Sequence, residues 1–196
     1  MNLENRHLQI DLDTVNVQPG EFYTSESPVI IQTLLGSCVS ACLYDGQSNI
    51  AGLNHFLLAA PKYPKFQPIL LADAGRYGVH SMELLINDMM KKGAKRNLLK
   101  AKVFGAAHIQ DLRDTDDFFK IAEINQRFLM EFLESERIPL IAADLGGTQG
   151  RIIYFNTQSM EVILRYLPSN KEKILEERKF WQYKIDHPEK TQIYMF

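Results

Sequence analysis

The sequence predicts an α/β (α+β) fold in which sheets and helices form layers within a single domain. Two observations favour this class: short runs rich in β-branched residues flank turn signals, and two longer stretches repeat their apolar residues with a helical period. The length of 196 residues lies within the usual range for one domain and allows a sizeable core.

The first predicted strand leads to a cysteine. Residues 1–28 are polar and contain two prolines and a glycine, which indicate an irregular lead-in with one short strand at most. The run VIIQTLL, which starts at Val29, has the composition of a buried strand. The dipeptide Gly36-Ser37 then ends the strand directly before Cys38.

A β-hairpin follows, because VSACLYD and NIAGLNHFLL flank the turn-forming stretch DGQS at residues 45–48. If GQ forms the loop, Cys38 lies directly opposite His55, and opposed Cβ atoms are ~4.5–5.5 Å apart. If DG forms the loop, Cys38 faces Leu53 and has His55 as its diagonal neighbour. Both alternatives place the thiol and the imidazole on one face, provided that the loop has an even number of residues.

Two helices and a second group of strands complete the predicted domain. Residues 74–92 and a stretch centred on residues 121–132 each place an apolar stripe on one face, which predicts core packing. The stripes are Val79, Met82, Ile86 and Met89 in the first helix, and Ile121, Ile124, Phe128, Leu129 and Phe132 in the second. Gly93 is expected to end the first helix, before the strand AKVFGAA. The strand IPLIAAD then leads into a hairpin of RIIYFN and EVILRYL that turns near residues 157–159.

The sequence divides into a lead-in (residues 1–28), a folded domain (29–168) and a charged tail (169–196) that is predicted to be helical. The tail contains Trp181 and Tyr183 and ends in IYMF. These side chains could pack on the domain, on another protein or on nothing, and packing within the chain is the first expectation.

Charge and hydropathy exclude several classes of function. The formal net charge of -2 and the pI near 6.2 leave no basic excess that could neutralise the phosphates of a nucleic acid. The first residues lack the apolar stretch of a secretory signal, and no apolar run is long enough to span a bilayer, so a cytoplasmic protein is expected. Cys38 and Cys42 would be roughly 13 Å apart in a strand, which is too far for a disulfide.

The residues Cys38 and His55 predict nucleophilic chemistry. A cysteine attacks a carbonyl as the thiolate, so it needs a partner that removes its proton, and His55 is the nearest candidate. The resulting oxyanion could be bound by the backbone N–H groups around Gly36, Ser37 and Cys38. Thr33, on the preceding strand, is the candidate for orienting the imidazole.

Other interpretations of these residues remain open from the sequence alone. A cysteine in a strand is more often a small buried apolar residue, which is the interpretation favoured for Cys42. A metal site of Cys38, Cys42, His55 and His108 lacks the paired spacing that is typical of zinc sites. The glycines of DLGGTQGR could hold an anion beside Arg151, but turn geometry is the commoner reason for such a pattern.

Several segments together resemble one family. TLLGSCVSACLYD, GLNHFLL, GRYGVHSMELLINDMMKKGA, LKAKVFGAA and IPLIAADLGGTQGR look like the chemoreceptor glutamine deamidase family, CheD, over residues 29–167. The resemblance implies an enzyme that converts glutamines of methyl-accepting chemotaxis receptors to glutamates and needs no cofactor. It also implies a layered fold similar to the deamidase domains of cytotoxic necrotizing toxins. An adaptor that regulates a CheC-type response-regulator phosphatase is the alternative function, and a thiol amidase with a small-molecule substrate is a third.

The resemblance also implies a catalytic set of cysteine, histidine and threonine. The cysteine maps onto Cys38 of GSC and the histidine onto His55 of NHF. The threonine lies six residues before the cysteine in some members, where this chain has Gln32, whereas Thr33 lies five before. Since one residue reverses the direction of a side chain in a strand, the resemblance leaves the third position open. The segment AKVFGAAHI also departs from the family's more usual double glycine, with alanine at position 106.

Overall fold

The structure is a computed structural model that describes residues 12–58, 69–71, 73–108 and 115–167. Its strands are β1 (Thr14–Asn16), β2 (Phe22–Ser25), β3 (Ile30–Leu35), β4 (Val39–Asp45), β5 (Ile50–Asn54), β6 (Lys100–Gly105), β7 (Leu140–Leu145), β8 (Arg151–Asn156) and β9 (Val162–Tyr166). Its helices are α1 (Asp73–Lys91) and α2 (Thr115–Ser135), with short 3-10 turns at Ile69–Leu71 and Arg96–Leu98. The mixed α/β class is therefore confirmed.

The strands form two sheets. The four-stranded sheet has the order β1-β3-β8-β9, and the five-stranded sheet has the order β2-β5-β4-β6-β7. Within them, β1 pairs with β3 and β6 with β7 in parallel, while the other neighbours are antiparallel. The fourth and fifth strands of the chain are central or next to central in the larger sheet, which places both arms of the predicted hairpin inside the protein.

Two cores account for the layers. One core joins the inner faces of the two sheets and includes Ile31, Leu35, Cys42, Leu53 and Phe155. The other core joins the larger sheet to both helices and includes Val39, Ala41 and Leu43 of β4 together with most of the apolar stripes of α1 and α2. Because β4 is covered on both faces, nearly all of its residues are buried, and the alternating pattern of a half-exposed strand is absent from it.

The β4–β5 loop is longer than either sequence alternative. In the structure Asp45 pairs with Ile50 and Cys42 with Leu53, so the loop consists of residues 46–49 and both predicted registers are wrong. The Asp45 carboxylate accepts hydrogen bonds from the N–H groups of Gln47 and Ser48, and Asn49 takes a left-handed φ of 55°. These local bonds stabilise a wider turn than a two-residue loop. The loop still has an even length, so the face shared by residues 38 and 55 is preserved.

The segment before residue 29 contributes more structure than expected. Instead of at most one strand it supplies two, β1 and β2, one to each sheet. They contain only three and four residues, which is too short for a periodic pattern to be visible in the sequence. The division of the chain at residue 28 stays a prediction, and the predicted tail lies outside the described residues.

The helices agree closely with their sequence patterns. α1 ends at Lys91, and Gly93 follows with a left-handed φ of 110° and donates its N–H to the Met90 carbonyl. In α2 the stripe residues from Ile124 onward are buried, while Ile121 is half-buried against the core between the sheets. Within the described ranges, neither helix is long and apolar enough to cross a lipid bilayer.

Candidate active site

The open end of the β4–β5 hairpin brings the two predicted reactive residues together. Cys38 precedes β4 and His55 follows β5. The next residue after each of them, Val39 and Phe56 respectively, forms an antiparallel bridge with the other. Both bridge bonds are regular, with the Val39 N–H donating to the Phe56 carbonyl at 2.9 Å and the Phe56 N–H to the Val39 carbonyl at 3.0 Å. In this register Cys38 and His55 are diagonal neighbours on the same face.

The thiol and the imidazole form a direct contact. Sγ of Cys38 lies 2.9 Å from Nε2 of His55. Cys38 and His55 are only 0% and 1% exposed, so the contact is shielded from bulk water. A polar contact between buried groups is stronger than the same contact in water.

The hydroxyl of Thr33 fixes the tautomer of the imidazole. Its oxygen lies 2.7 Å from the carbonyl oxygen of Val17 and 2.8 Å from Nδ1 of His55. A hydroxyl has a single hydrogen, which it must donate to the carbonyl, so it accepts the hydrogen bond from Nδ1–H. Nε2 therefore carries a lone pair towards the Cys38 thiol, which is the geometry that a general base requires.

Burial keeps His55 uncharged. It lowers the pKa of His55 from 6.5 to about 3, because an imidazolium loses its hydration there, and the nearby backbone carbonyl of Val17 opposes the shift only in part. Since the pKa lies below neutrality, the imidazole is neutral at pH 7, which is the protonation state that a general base needs.

The backbone around Cys38 provides hydrogen-bond donors close to the sulfur. The Gly36 N–H donates to Sγ of Cys38 at 3.4 Å. The neighbouring Ser37 N–H has no acceptor among the described residues, which leaves it available to a ligand. Gly36 and Ser37, the two predicted oxyanion residues, thus lie beside the sulfur.

The segment after β6 holds the nucleophile loop from the other side. The carbonyl groups of Cys38 and Gly36 each accept a bond at 2.7 Å, from the N–H groups of Ala106 and Ala107 respectively. A Cβ atom at Gly105 would lie 2.2 Å from the Cys38 carbonyl oxygen, so only glycine fits there. Ala106 has a left-handed φ of 54°, a conformation that costs an L-residue roughly 1–2 kcal/mol.

Three contributors to the site had no role in the sequence prediction. The Val17 carbonyl is a backbone group and has no side-chain signal. Asn125 of α2 is fully buried; its Oδ1 accepts the Leu58 N–H at 2.8 Å, and its Nδ2 lies 3.5 Å from the Ser37 carbonyl oxygen. Its signal was present in the sequence, because it is a polar residue within an apolar stripe. The third contributor is Asn54, which lies within the NHF motif.

The structure also places the other candidates. Gln32 is half-buried and alternates with Thr33 along β3, so it is Thr33 that contacts His55. Cys42 is a buried free thiol, and burial raises its pKa far above the ordinary range, so it is protonated and unreactive. His108 donates its backbone N–H to the Gly147 carbonyl. Among the described residues, no group of three or more His, Cys, Asp and Glu side chains is arranged to hold a metal ion.

The DLGGTQGR segment has the geometry of a turn. Gly146 and Gly147 both take left-handed φ values, of 80° and 72°. The Arg151 side chain is fully buried and donates to the Asp144 carboxylate and to the Gly146 carbonyl. The arginine is therefore used within the protein, where it joins the end of β7 to the start of β8.

A thiol, a neutral imidazole and a hydroxyl in one hydrogen-bonded series are the arrangement of hydrolases with a cysteine nucleophile. The family model described as CheD chemotactic sensory transduction matches residues 62–166. Three relatives carry the name probable chemoreceptor glutamine deamidase CheD: one from Geobacter sulfurreducens is 42% identical over 93% of this chain and 90% of its own length, one from Shewanella oneidensis is 44% identical over 82% and 80%, and one from Chromobacterium violaceum is 40% identical over 94% and 88%. The chain belongs to the CheD family.

The family-model match and the reactive pair lie in different parts of the chain. The matched residues begin at position 62, after both Cys38 and His55.

Proposed function

We propose that this protein is a protein-glutamine deamidase that converts selected glutamines of chemotaxis receptors to glutamates and releases ammonia. The observation that carries the proposal is the series Thr33–His55–Cys38, with an imidazole lone pair directed at a buried thiol. The reaction and the receptor substrate are supported by the names of the relatives. A cytoplasmic location follows from a substrate on the cytoplasmic part of the receptors.

The proposed reaction begins with proton transfer from the Cys38 thiol to Nε2 of His55. The sulfur attacks the side-chain carbonyl carbon of glutamine, and the oxyanion is bound by the backbone N–H groups of Ser37 and Gly36. The imidazolium returns its proton to the nitrogen as the C–N bond breaks, so ammonia departs and a thioester remains.

The second half of the proposed reaction restores the enzyme. His55 takes a proton from water, and the resulting hydroxide attacks the thioester carbonyl. The C–S bond breaks, the proton returns to sulfur, and glutamate is released. Thr33 keeps Nδ1–H hydrogen bonded throughout, so the same nitrogen exchanges the proton in both halves. None of these steps requires a cofactor.

The decisive experiment compares the wild-type protein with Cys38→Ala on a purified receptor cytoplasmic fragment. Mass spectrometry of the fragment should show the mass gain of deamidation at specific glutamines with the wild type and none with the variant. Cys42→Ala is the matched control, because it removes a buried thiol of β4 four residues after Cys38, and it should retain activity. A competent receptor fragment that stays unmodified with the wild type would contradict the proposal.

The resemblance predicts a second function, in which the protein regulates a CheC-type phosphatase without catalysis. Such an adaptor needs no thiol. The Cys38→Ala variant should therefore still regulate the phosphatase, although it no longer deamidates the receptor. A fold similar to the toxin deamidase domains is likewise a prediction of the resemblance, and superposition with such a domain tests it.

A further inference from the structure

Between β4 and β5, next to the reactive pair, a side chain replaces a main-chain hydrogen-bond acceptor. The β4–β5 ladder is regular up to the pair Cys42 and Leu53, and it closes again at the Val39–Phe56 bridge. Between these points Ala41 lies opposite Asn54, and its N–H donates to Oδ1 of the Asn54 side chain at 2.9 Å. In a regular antiparallel ladder a main-chain carbonyl accepts this bond.

The carboxamide of Asn54 is held in one orientation. The side chain is fully buried, and its Nδ2 lies 3.3 Å from Oγ of Ser81 and 3.3 Å from the sulfur of Met82, both on α1. The oxygen faces the N–H of Ala41, and the nitrogen faces the helix. A flipped amide would place two donors against each other, so the observed orientation is the one that satisfies both sides.

The main chain of His55 is anchored on the opposite edge of the strand. Its N–H donates to the Glu21 carbonyl at 2.9 Å, and its carbonyl accepts the Gly20 N–H at 2.8 Å. The backbone of His55 thus binds the segment before β2, and the side chain of Asn54, the preceding residue, binds β4. The lateral position of the imidazole depends on both attachments.

We propose that Asn54 is a positioning residue for the Cys38–His55 pair. Its carboxamide acts as a spacer between β4 and β5, and this spacing sets the 2.9 Å contact between Sγ and Nε2. The effect on turnover rests on the proposed deamidase function, whereas the effect on the geometry of the pair does not.

The first test replaces Asn54 by leucine, which has a similar volume and no acceptor for the Ala41 N–H. A displacement of the imidazole by an ångström lowers kcat by about 100-fold while KM is unchanged, because substrate contacts are not altered. The matched control is Asn156→Leu, since Asn156 is also buried and its Oδ1 also accepts main-chain N–H groups, from Gln158 and Ser159. The control should lose stability and keep kcat.

A conservative variant separates positioning from folding. In Asn54→Asp the acceptor oxygen is retained, so most of kcat should return at a pH where the new carboxyl group is neutral and should fall as it ionises. If Asn54→Leu does not fold, this variant decides the question. A folded aspartate variant that is as slow as a fully inactive enzyme at every pH would overturn the proposal.

A spectroscopic measurement tests the geometry without any substrate. The His55 Nδ1–H proton, buried and hydrogen bonded to Thr33, should give a slowly exchanging downfield NMR signal in the wild type and in Asn156→Leu. In Asn54→Leu the signal should shift or be lost. An unchanged signal in a folded Asn54→Leu protein would refute the positioning role even if deamidation is confirmed, and a changed signal would support it even if the receptor proves not to be the substrate.

Discussion

The two hairpins of this protein are built alike at their turns and differently along their arms. In β4–β5 the side chain of Asp45 accepts the N–H groups of two loop residues, and in β8–β9 Asn156 does the same. The β8–β9 ladder is continuous from Arg151 to Phe155, whereas the β4–β5 ladder is interrupted before its open end. His55 is one of the residues that lie in this interruption.

The difference shows how a sheet can hold a reactive pair without a flexible loop. A continuous ladder pairs the backbone groups that face its neighbour and leaves its side chains to pack. In the interrupted ladder one backbone N–H donates to a side chain, while the residues just before β2 bind the backbone of His55. Hydrogen bonds therefore hold the site from both neighbouring segments, and substitutions in the two hairpins should have different consequences.

The largest expected effect is the loss of the base. His55→Ala should lower kcat by about 10⁴-fold, because general-base assistance is removed from a thiol that needs it. The comparison is Phe155→Leu, a buried substitution in β8 that should lower stability and leave kcat unchanged. Steady-state deamidation rates measure both effects, and similar rate losses in the two variants would mean that the hairpins do not differ in role.

The next effect is the loss of the orienting hydroxyl. Thr33→Val leaves Nδ1–H of His55 and the Val17 carbonyl without their buried partner, at a cost of about 1–3 kcal/mol. If that cost is expressed in the transition state, kcat falls about 10–100-fold, and Thr33→Ser should restore most of it. A fully active valine variant would show that the tautomer is fixed by other means.

Acid should weaken the interrupted hairpin more than the continuous one. The pKa of His55 is lowered from 6.5 to about 3 on folding, so the unfolded chain binds a proton over this range that the folded protein does not. Stability conferred by the neutral histidine is therefore complete above pH 6.5 and declines by about 1.4 kcal/mol per pH unit below it, down to the folded pKa. Urea unfolding of the wild type and of His55→Gln at pH 7 and pH 5 should show the smaller decline in the variant.

The smallest effect concerns the two turns. Asn156→Ala should cost about 1 kcal/mol of unfolding free energy. Asp45→Ala should cost more, because the carboxylate also accepts the Lys95 N–H at 3.0 Å. Thermal unfolding at pH 7 compares the two, with kcat as the check that neither turn takes part in catalysis.

The Asp45 contribution should also depend on pH. Burial alone would raise the pKa of Asp45, but the backbone N–H groups of Lys95 and Gln47 and further hydrogen bonds outweigh it, so the pKa lies below 3.8. The stability that Asp45 adds is present above the unfolded pKa and is lost as the pH falls through the folded one. Equal costs for the Asp45 and Asn156 variants at neutral pH would argue against this extra bond.

The sequence was sufficient for the contact between the reactive residues and insufficient for the register that produces it. The parity of the β4–β5 loop places Cys38 and His55 on one face whether the loop has two or four residues. The actual length depends on the bonds of Asp45 and on the left-handed conformation of Asn49, which propensities do not resolve. Which residues share a face of the hairpin can thus be predicted more reliably from sequence than which residues are paired across it.

The features that could not be predicted depend on contacts between residues that are distant in sequence, or on backbone groups, which every residue has. β1 and β2 are short, and they become strands because the sheets offer them partners. The Val17 carbonyl carries no sequence signal at all. Asn54 and Asn125 were visible as polar residues among apolar ones, but their roles depend on which backbone groups face them in the folded protein.

The bond from Thr33 to the Val17 carbonyl makes the state of the base depend on the beginning of the chain. That carbonyl follows β1, which pairs with β3 from Thr14 to Asn16, and the Val17 N–H continues the pairing by donating to the Gln32 carbonyl at 2.9 Å. A chain that lost this strand would keep both the thiol and the imidazole, yet the hydroxyl could then turn its hydrogen towards the ring and favour the opposite tautomer. The competence of the base therefore depends on an assembled first strand, because the carbonyl that orients the Thr33 hydroxyl belongs to the residue that follows this strand.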